Sequence, residues 1–153
     1  MKAVLCLGAN LGDRGKAIYD AIDAIGRLPY TRVLRDSGID ETEPEGVIDI
    51  QPNYLNCLCE VETGLCAEAL LGACFGIEAA AGRVRIGFKS PRTLDIDLLL
   101  YEGVESDSEF MTLPHPRMLE RSFVLEPLSR LYPEGVALGL DFREALAAIR
   151  KES

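Results

Sequence analysis

An α+β sandwich of ferredoxin-like order, an antiparallel-rich sheet with its helices packed on one side, is predicted by two observations. Apolar residues switch between strand spacing and helical spacing along the chain, and they do so in the order strand, helix, strand, strand, helix, strand. No internal repeat or low-complexity linker interrupts the 153 residues, so residues 1–153 read as one domain with room for a full core. Ala3-Val4-Leu5-Cys6-Leu7 is apolar on both faces, as a central strand covered on both sides should be. It ends at Gly8-Ala9-Asn10-Leu11-Gly12. Asp13 can then cap a helix whose Ile18, Ile22, Ile25 and Leu28 recur at helical spacing, and Pro29 closes it. A second strand over Arg32 to Ile39 leads into an acidic loop with Pro44 and Gly46. From Asn53 to Thr63 the residues alternate, with Leu55, Cys57, Cys59 and Val61 on one face and Tyr54, Asn56, Leu58 and Glu60 on the other. Cys66 to Ala81 returns to helical spacing through Leu70, Cys74, Ile77 and Ala81, and Gly82 stands where that helix would end. A strand containing Asp95 follows, at an inner position of the sheet. Two helices close the chain, one near Val124 to Leu131 and one from Phe142 to Lys151.

The strand around Asp95 is the most informative stretch. In Ser90-Pro91-Arg92-Thr93-Leu94-Asp95-Ile96-Asp97-Leu98-Leu99-Leu100, residues two apart share a face. Asp95 and Asp97 therefore stand side by side, roughly 6 to 7 Å apart at Cα. Ile96, Leu98 and Leu100 take the opposite face and can enter the core. Two hard oxygen ligands at that spacing suit Mg²⁺, which accepts one or two carboxylates and fills its other positions with water and substrate phosphate. A strand with a solvated acidic face would carry the same pattern.

The charge map bears on that choice. From Asp36 to Gly82 there is no Lys or Arg, whereas Arg83, Arg85, Lys89 and Arg92 follow with no acid among them, and Arg121 comes later. A guanidinium cluster directly before a carboxylate pair suits a polyphosphate bridged by Mg²⁺, because the planar fork of Arg binds phosphate oxygens in bidentate fashion. A solvated loop after a helix is the competing reading of Arg83 and Arg85. The net charge of −9 argues against general nucleic-acid or anionic-membrane binding.

No uninterrupted apolar run approaches the ~20 residues of a membrane helix, and Met1-Lys2 leads straight into a strand, so a cytoplasmic protein is the expectation, with a monomer as the default. Five cysteines, Cys6, Cys57, Cys59, Cys66 and Cys74, make no CxxC pair and read as small core hydrophobes in a reducing compartment. The Gly8 to Gly12 run lacks the spacing of a dinucleotide fingerprint, and no Walker loop occurs anywhere.

Taken together, Leu7-Gly8-Ala9-Asn10-Leu11-Gly12, Pro52-Asn53-Tyr54-Leu55-Asn56, Gly82-Arg83-Val84-Arg85, Pro91-Arg92-Thr93-Leu94-Asp95-Ile96-Asp97, Leu113-Pro114-His115-Pro116-Arg117 and Arg121 to Leu128 form a specific series. In that order the chain, from Leu5 to about Leu131, resembles the 6-hydroxymethyl-7,8-dihydropterin pyrophosphokinase family of folate biosynthesis. The resemblance implies a ferredoxin-like fold, two Mg²⁺ ions, ATP as co-substrate, and transfer of its terminal diphosphate to the pterin hydroxymethyl group with release of AMP. It also implies roles. Asp95 and Asp97 would hold the metal ions, and Arg83 and Arg92 would close over the triphosphate. Arg85, Leu98, Thr112, His115 and Arg121 would contact the nucleotide. Thr42, Pro44, Tyr54, Asn56 and Phe123 would form the pterin pocket, where aromatic faces sandwich a flat ring and an amide reads its edge.

The chain departs from that family in places. Ala9 stands where Ser is usual, Asp40 where an aromatic is common, Pro116 where an aromatic can follow the histidine, and Glu45 where an apolar residue is often found. The Ile86 to Ser90 loop is short, and with no Trp in the chain Phe88 is the candidate to seal the site. The Glu45 to Gln51 and Ile86 to Ser90 loops are expected to move, as lids must open for release. Two alternatives stay open: a catalytically silent nucleotide-binding domain of the same fold, and a two-metal phosphohydrolase using the same aspartates.

Overall fold

In the computed structural model, which describes residues 1–10, 13–42, 53–81 and 94–152, the first strand takes the middle of the sheet. This is β1 (Lys2–Ala9), and seven of its eight residues are buried. Asp13 caps α1 (Arg14–Gly26), its side chain accepting from the Lys16 N–H at 3.1 Å. Then come β2 (Thr31–Asp36), β3 (Asp40–Thr42), β4 (Tyr54–Thr63), α2 (Ala67–Ala80) and β5 (Asp95–Tyr101). The sheet runs β2-β4-β1-β5, every neighbouring pair antiparallel, and β3 pairs with the start of β4. Each helical crossover leaves a one-strand gap that the other fills: β4 sits between β1 and β2, and β1 between β4 and β5. That interleaving is the ferredoxin-like order read from the sequence. It also puts β5 at the end of the sheet among the described residues, so the aspartate strand is there an edge strand and not an inner one.

Alternation sends Leu5, Leu7, Cys57, Cys59, Val61, Ile96 and Leu98 to one face, where Ile18, Ala21 and Ile25 of α1 and Leu70 and Cys74 of α2 close a core over them. The opposite face is not bare. After two short hairpin strands, β6 (Ser106–Asp107) and β7 (Thr112–Leu113), a 3₁₀ turn at Met118–Glu120 leads into α3 (Ser122–Leu131). A second hairpin, β8 (Val136–Ala137) and β9 (Leu140–Asp141), precedes α4 (Arg143–Lys151). Val4, Cys6, Leu58 and Leu100 of the sheet pack there against Val124, Leu125 and Leu128 of α3 and against Phe142. Helices thus cover both faces, which corrects the one-sided expectation and explains why β1 is apolar all round.

Three smaller differences have local causes. The register between β1 and β5 shifts between Val4 and Leu5, with Leu5 opposite Leu98 but Val4 opposite Leu100. The extra residue turns Leu100 onto the face of Val4, not that of Ile96 and Leu98. The strand expected over Arg32 to Ile39 breaks at Ser37-Gly38. There Asp36 accepts from the Gly38 N–H at 2.8 Å and Gly38 adopts φ +77. Cys6, Cys57, Cys59 and Cys74 are buried as expected, but Cys66 caps α2 and is exposed. α2 ends at Ala80, and Gly82 lies outside the described residues.

Candidate active site

Where the N-terminal end of α3 meets the sheet, a cavity of about 230 Å³ is lined by Cys6, Gly8, Thr42, Tyr54, Asn56, Asp95, Asp97, Arg121 and Phe123. The strand register builds its floor. Gly8 of β1 lies opposite Asn56 of β4 on one side and Asp95 of β5 on the other. A Cβ on Gly8 would come within 3.0 Å of Asn56 Oδ1, so the absent side chain makes room for the amide. Asn56 Nδ2 donates to Thr42 Oγ1 at 2.7 Å across the β3–β4 pair. At the helix end the Arg121 guanidinium lies over the Phe123 ring, 5.3 Å from its centroid. Asp95 and Asp97 are half-buried. Beneath them sits Cys6, opposite Asp97. Burial and then the negative charges of Asp97 and Asp95 push its thiol well up, so it remains a neutral floor.

Asp97 also lines a second cavity of about 260 Å³, together with Leu98, Thr112, His115, Phe75 and Phe110 among others. Phe75 and Phe110 meet edge to face there, with ring centroids 6.2 Å apart. His115 is fixed by its backbone N–H, which donates to the Leu99 carbonyl at 2.9 Å. Its Nδ1 accepts from the Arg117 N–H at 3.3 Å, which leaves Nε2 to carry the proton of the neutral ring. Burial first, then the charges of Arg121 and Arg117, hold the His115 pKa below its ordinary value, so the ring is neutral near pH 7.

The sequence-predicted residues thus fall into two groups. Thr42, Tyr54, Asn56 and Phe123 share the first cavity with both aspartates. Leu98, Thr112 and His115 share the second with Asp97. Arg121, expected at the nucleotide, lines the first cavity beside the carboxylates. Arg83, Arg85, Arg92 and Pro44 lie outside the described residues, as do Phe88 and the Glu45 to Gln51 and Ile86 to Ser90 loops.

Sequence reasoning missed two features. Phe75 lies on α2, four residues after buried Leu71, and Phe110 lies between β6 and β7, so no period links them as a pair. Glu78 is buried on α2, and its Oε2 accepts from the Ile96 N–H at 2.8 Å, between the two aspartates. Its signal was present, since Glu78 lies four residues after Cys74 and eight after Leu70 on the buried stripe. Among the described residues no three His, Cys, Asp or Glu side chains converge as a metal cage. Two carboxylates facing one cavity fit a hard cation that draws its remaining ligands from water and phosphate, as Mg²⁺ does. A groove of about 400 Å³ between α1 and α2 shares no residue with either cavity.

A ferredoxin-like sheet whose Asp97 lines two cavities, with Asp95 beside it in the first, suits one class: α+β enzymes that move phosphoryl groups between two small molecules. The profile of the 7,8-dihydro-6-hydroxymethylpterin-pyrophosphokinase (HPPK) family matches residues 4–133. The chain belongs to that family. It is 40% identical over 148 residues to the 2-amino-4-hydroxy-6-hydroxymethyldihydropteridine pyrophosphokinase of Methylorubrum extorquens, covering 97% of this chain and 93% of that one. It is 41% identical over 132 residues to the folic acid synthesis protein fol1 of Schizosaccharomyces pombe, covering 86% of this chain but 18% of that longer protein. Its fold is similar to a crystal structure of HPPK-DHPS in complex with substrates. The TM-score is 0.70 at 13% identity, over 99% of this chain and 45% of that one.

Proposed function

We propose that this chain transfers the terminal diphosphate of ATP to the hydroxymethyl group of 6-hydroxymethyl-7,8-dihydropterin, giving AMP and the pterin diphosphate in folate biosynthesis. The pterin would sit in the first cavity and the nucleotide in the second. One observation carries the assignment of sites: Asp97 lines both cavities, so a group passing from one ligand to the other passes a carboxylate pair.

The chain's own residues account for binding and alignment. Tyr54 and Phe123 offer faces to a flat heterocycle, and Asn56, oriented by Thr42, offers an amide to its hydrogen-bonding edge. Phe75 and Phe110 offer aromatic surface to a nucleobase, and His115 offers an uncharged Nε2–H donor. The pterin hydroxyl oxygen attacks the β-phosphorus as the bond from that phosphorus to the AMP oxygen breaks and the hydroxyl proton passes to solvent, so no protein nucleophile is required. Asp95 and Asp97 would hold two Mg²⁺ ions, which when bound draw negative charge from the phosphate oxygens. Arg121 lies beside the carboxylates and would meet charge that develops on the transferred group, and Arg83 and Arg92 would add to it.

The whole chain acts as one catalytic domain in this reading, and no helix among the described residues is long and apolar enough to cross a membrane. The test is an ATP assay with and without the dihydropterin, in Mg²⁺ buffer, resolving AMP, ADP and pterin diphosphate. AMP formed one-to-one with pterin diphosphate is the expected result. ADP and phosphate formed without response to pterin would mean hydrolysis, and nucleotide binding without turnover would mean a silent domain.

A further inference from the structure

We propose that two ion pairs, Arg130–Asp40 on one face of the sheet and Arg14–Glu41 on the other, clamp β3 and so set the position of Thr42 and Asn56, which makes Arg130 and Arg14 positioning residues for the flat substrate. The inference rests on reading the first cavity as the pterin seat.

β3 is three residues long and, among the described residues, pairs only with β4. So short an edge strand has few ladder bonds to hold it. Yet it carries Thr42, whose hydroxyl fixes Asn56 at 2.7 Å. Alternation puts Asp40 and Thr42 on the cavity face, opposite Asn56 and Tyr54, and Glu41 on the other face, opposite Leu55. Each face receives one arginine. From α3, Arg130 donates through Nε to the Ser37 carbonyl at 3.2 Å and through Nη2 to the Asp40 carboxylate. From α1, Arg14 donates through Nη1 to the Asn53 carbonyl at 2.5 Å and stands 3.6 Å from Glu41. Both guanidiniums therefore bridge an acid on β3 and a backbone carbonyl in a connection to a strand, Ser37 between β2 and β3 and Asn53 directly before β4. A single ammonium is poorly shaped for that double reach, whereas the planar fork spans it. Arg14 is also the first residue of α1, where the helix dipole disfavours a cation, so the β3 contacts offset a local penalty. The clamp gives a physical reason for Asp40, which stands where the resembled family commonly has an aromatic. Both pairs are partly exposed, so each effect should be modest and weakened by salt.

The test uses Arg130→Met, Asp40→Asn, their double variant and Arg14→Met in the full chain. Two readouts are taken: amide exchange of Asp40 to Thr42 by NMR, and titration with the fluorescent pterin and separately with nucleotide. The proposal expects roughly two- to fivefold faster exchange in β3 and weaker pterin binding in each single variant, by the size of exposed pairs. The Arg130→Met/Asp40→Asn double should be no worse than either single. Nucleotide affinity should not move, and Arg130→Lys should recover only part of the loss. Unchanged β3 exchange overturns the clamp whatever the ligand does. Faster exchange with unchanged pterin affinity, or equal loss for both ligands with a lower melting temperature, overturns the positioning role. A wild-type protein that binds nucleotide but takes up no pterin even with nucleotide bound overturns the functional reading itself, and the positioning role falls with it.

Discussion

Gly8 shapes the first cavity by having no side chain. Replacing it with Ala would put a methyl about 3.0 Å from Asn56 Oδ1, and the amide would have to give by a few tenths of an ångström at the expense of its bond to Thr42. Losing one such hydrogen bond costs about 1 kcal/mol. Gly8→Ala should therefore weaken pterin binding roughly fivefold and leave nucleotide binding alone. Paired fluorescence titrations would check this, and an unchanged pterin constant would refute the role given to Gly8. At this scale the sequence was legible wherever period two applied. Period two turns Tyr54 and Asn56 the same way, and Asp95 and Asp97 likewise, and all four line the first cavity. The aromatic pair Phe75 and Phe110 was not legible, since α2 and the turn before β7 are far apart in sequence and no period links them.

At the scale of elements, β5 depends on α2. An edge strand leaves backbone N–H groups facing away from the sheet, and Glu78 supplies a buried acceptor for the one at Ile96. Glu78→Ala would remove that acceptor, at a cost of about 1 to 3 kcal/mol for a buried unsatisfied N–H. The melting temperature should fall by several degrees, roughly 2 to 4 °C per kcal/mol in a chain of this size. Glu78→Gln keeps a carbonyl oxygen and should lose less. Equal losses in the two variants would show that the acceptor is not what matters. The order of strands and helices was legible because each element has a distinct period. The edge position of β5 and the second helical layer were missed, since both depend on how crossovers interleave and on where α3 and α4 turn back. The bulge that turns Leu100 was hidden for another reason: a run of leucines carries no alternation to break.

At the scale of the molecule, one polar network ties the layer formed by α3 and α4 to the sheet. Glu60 of β4, with its side chain 5% exposed, receives both Nε and Nη2 of Arg35 at 3.2 and 3.4 Å and the Tyr132 hydroxyl just beyond α3. Burial pushes the Glu60 carboxyl up, but the Tyr132 and Arg35 hydrogen bonds outweigh it and hold its pKa below the ordinary value of 4.5. A carboxyl lowered on folding stabilises the fold at pH above its unfolded value, and that contribution fades as pH falls through the lowered one. Glu60→Gln should therefore melt below wild type near pH 7, with the gap closing below about pH 4. Melting curves from pH 3 to 7 would show it, and a gap independent of pH would contradict the network's role. Across the whole chain, the two cavities and the carboxylates between them make one device. Its most direct test is Asp97→Ala, because Asp97 alone of the two aspartates faces both cavities. With circular dichroism and melting unchanged, turnover to AMP and pterin diphosphate should fall by orders of magnitude while pterin alone still binds. Near-normal turnover in a folded Asp97→Ala protein would contradict the account.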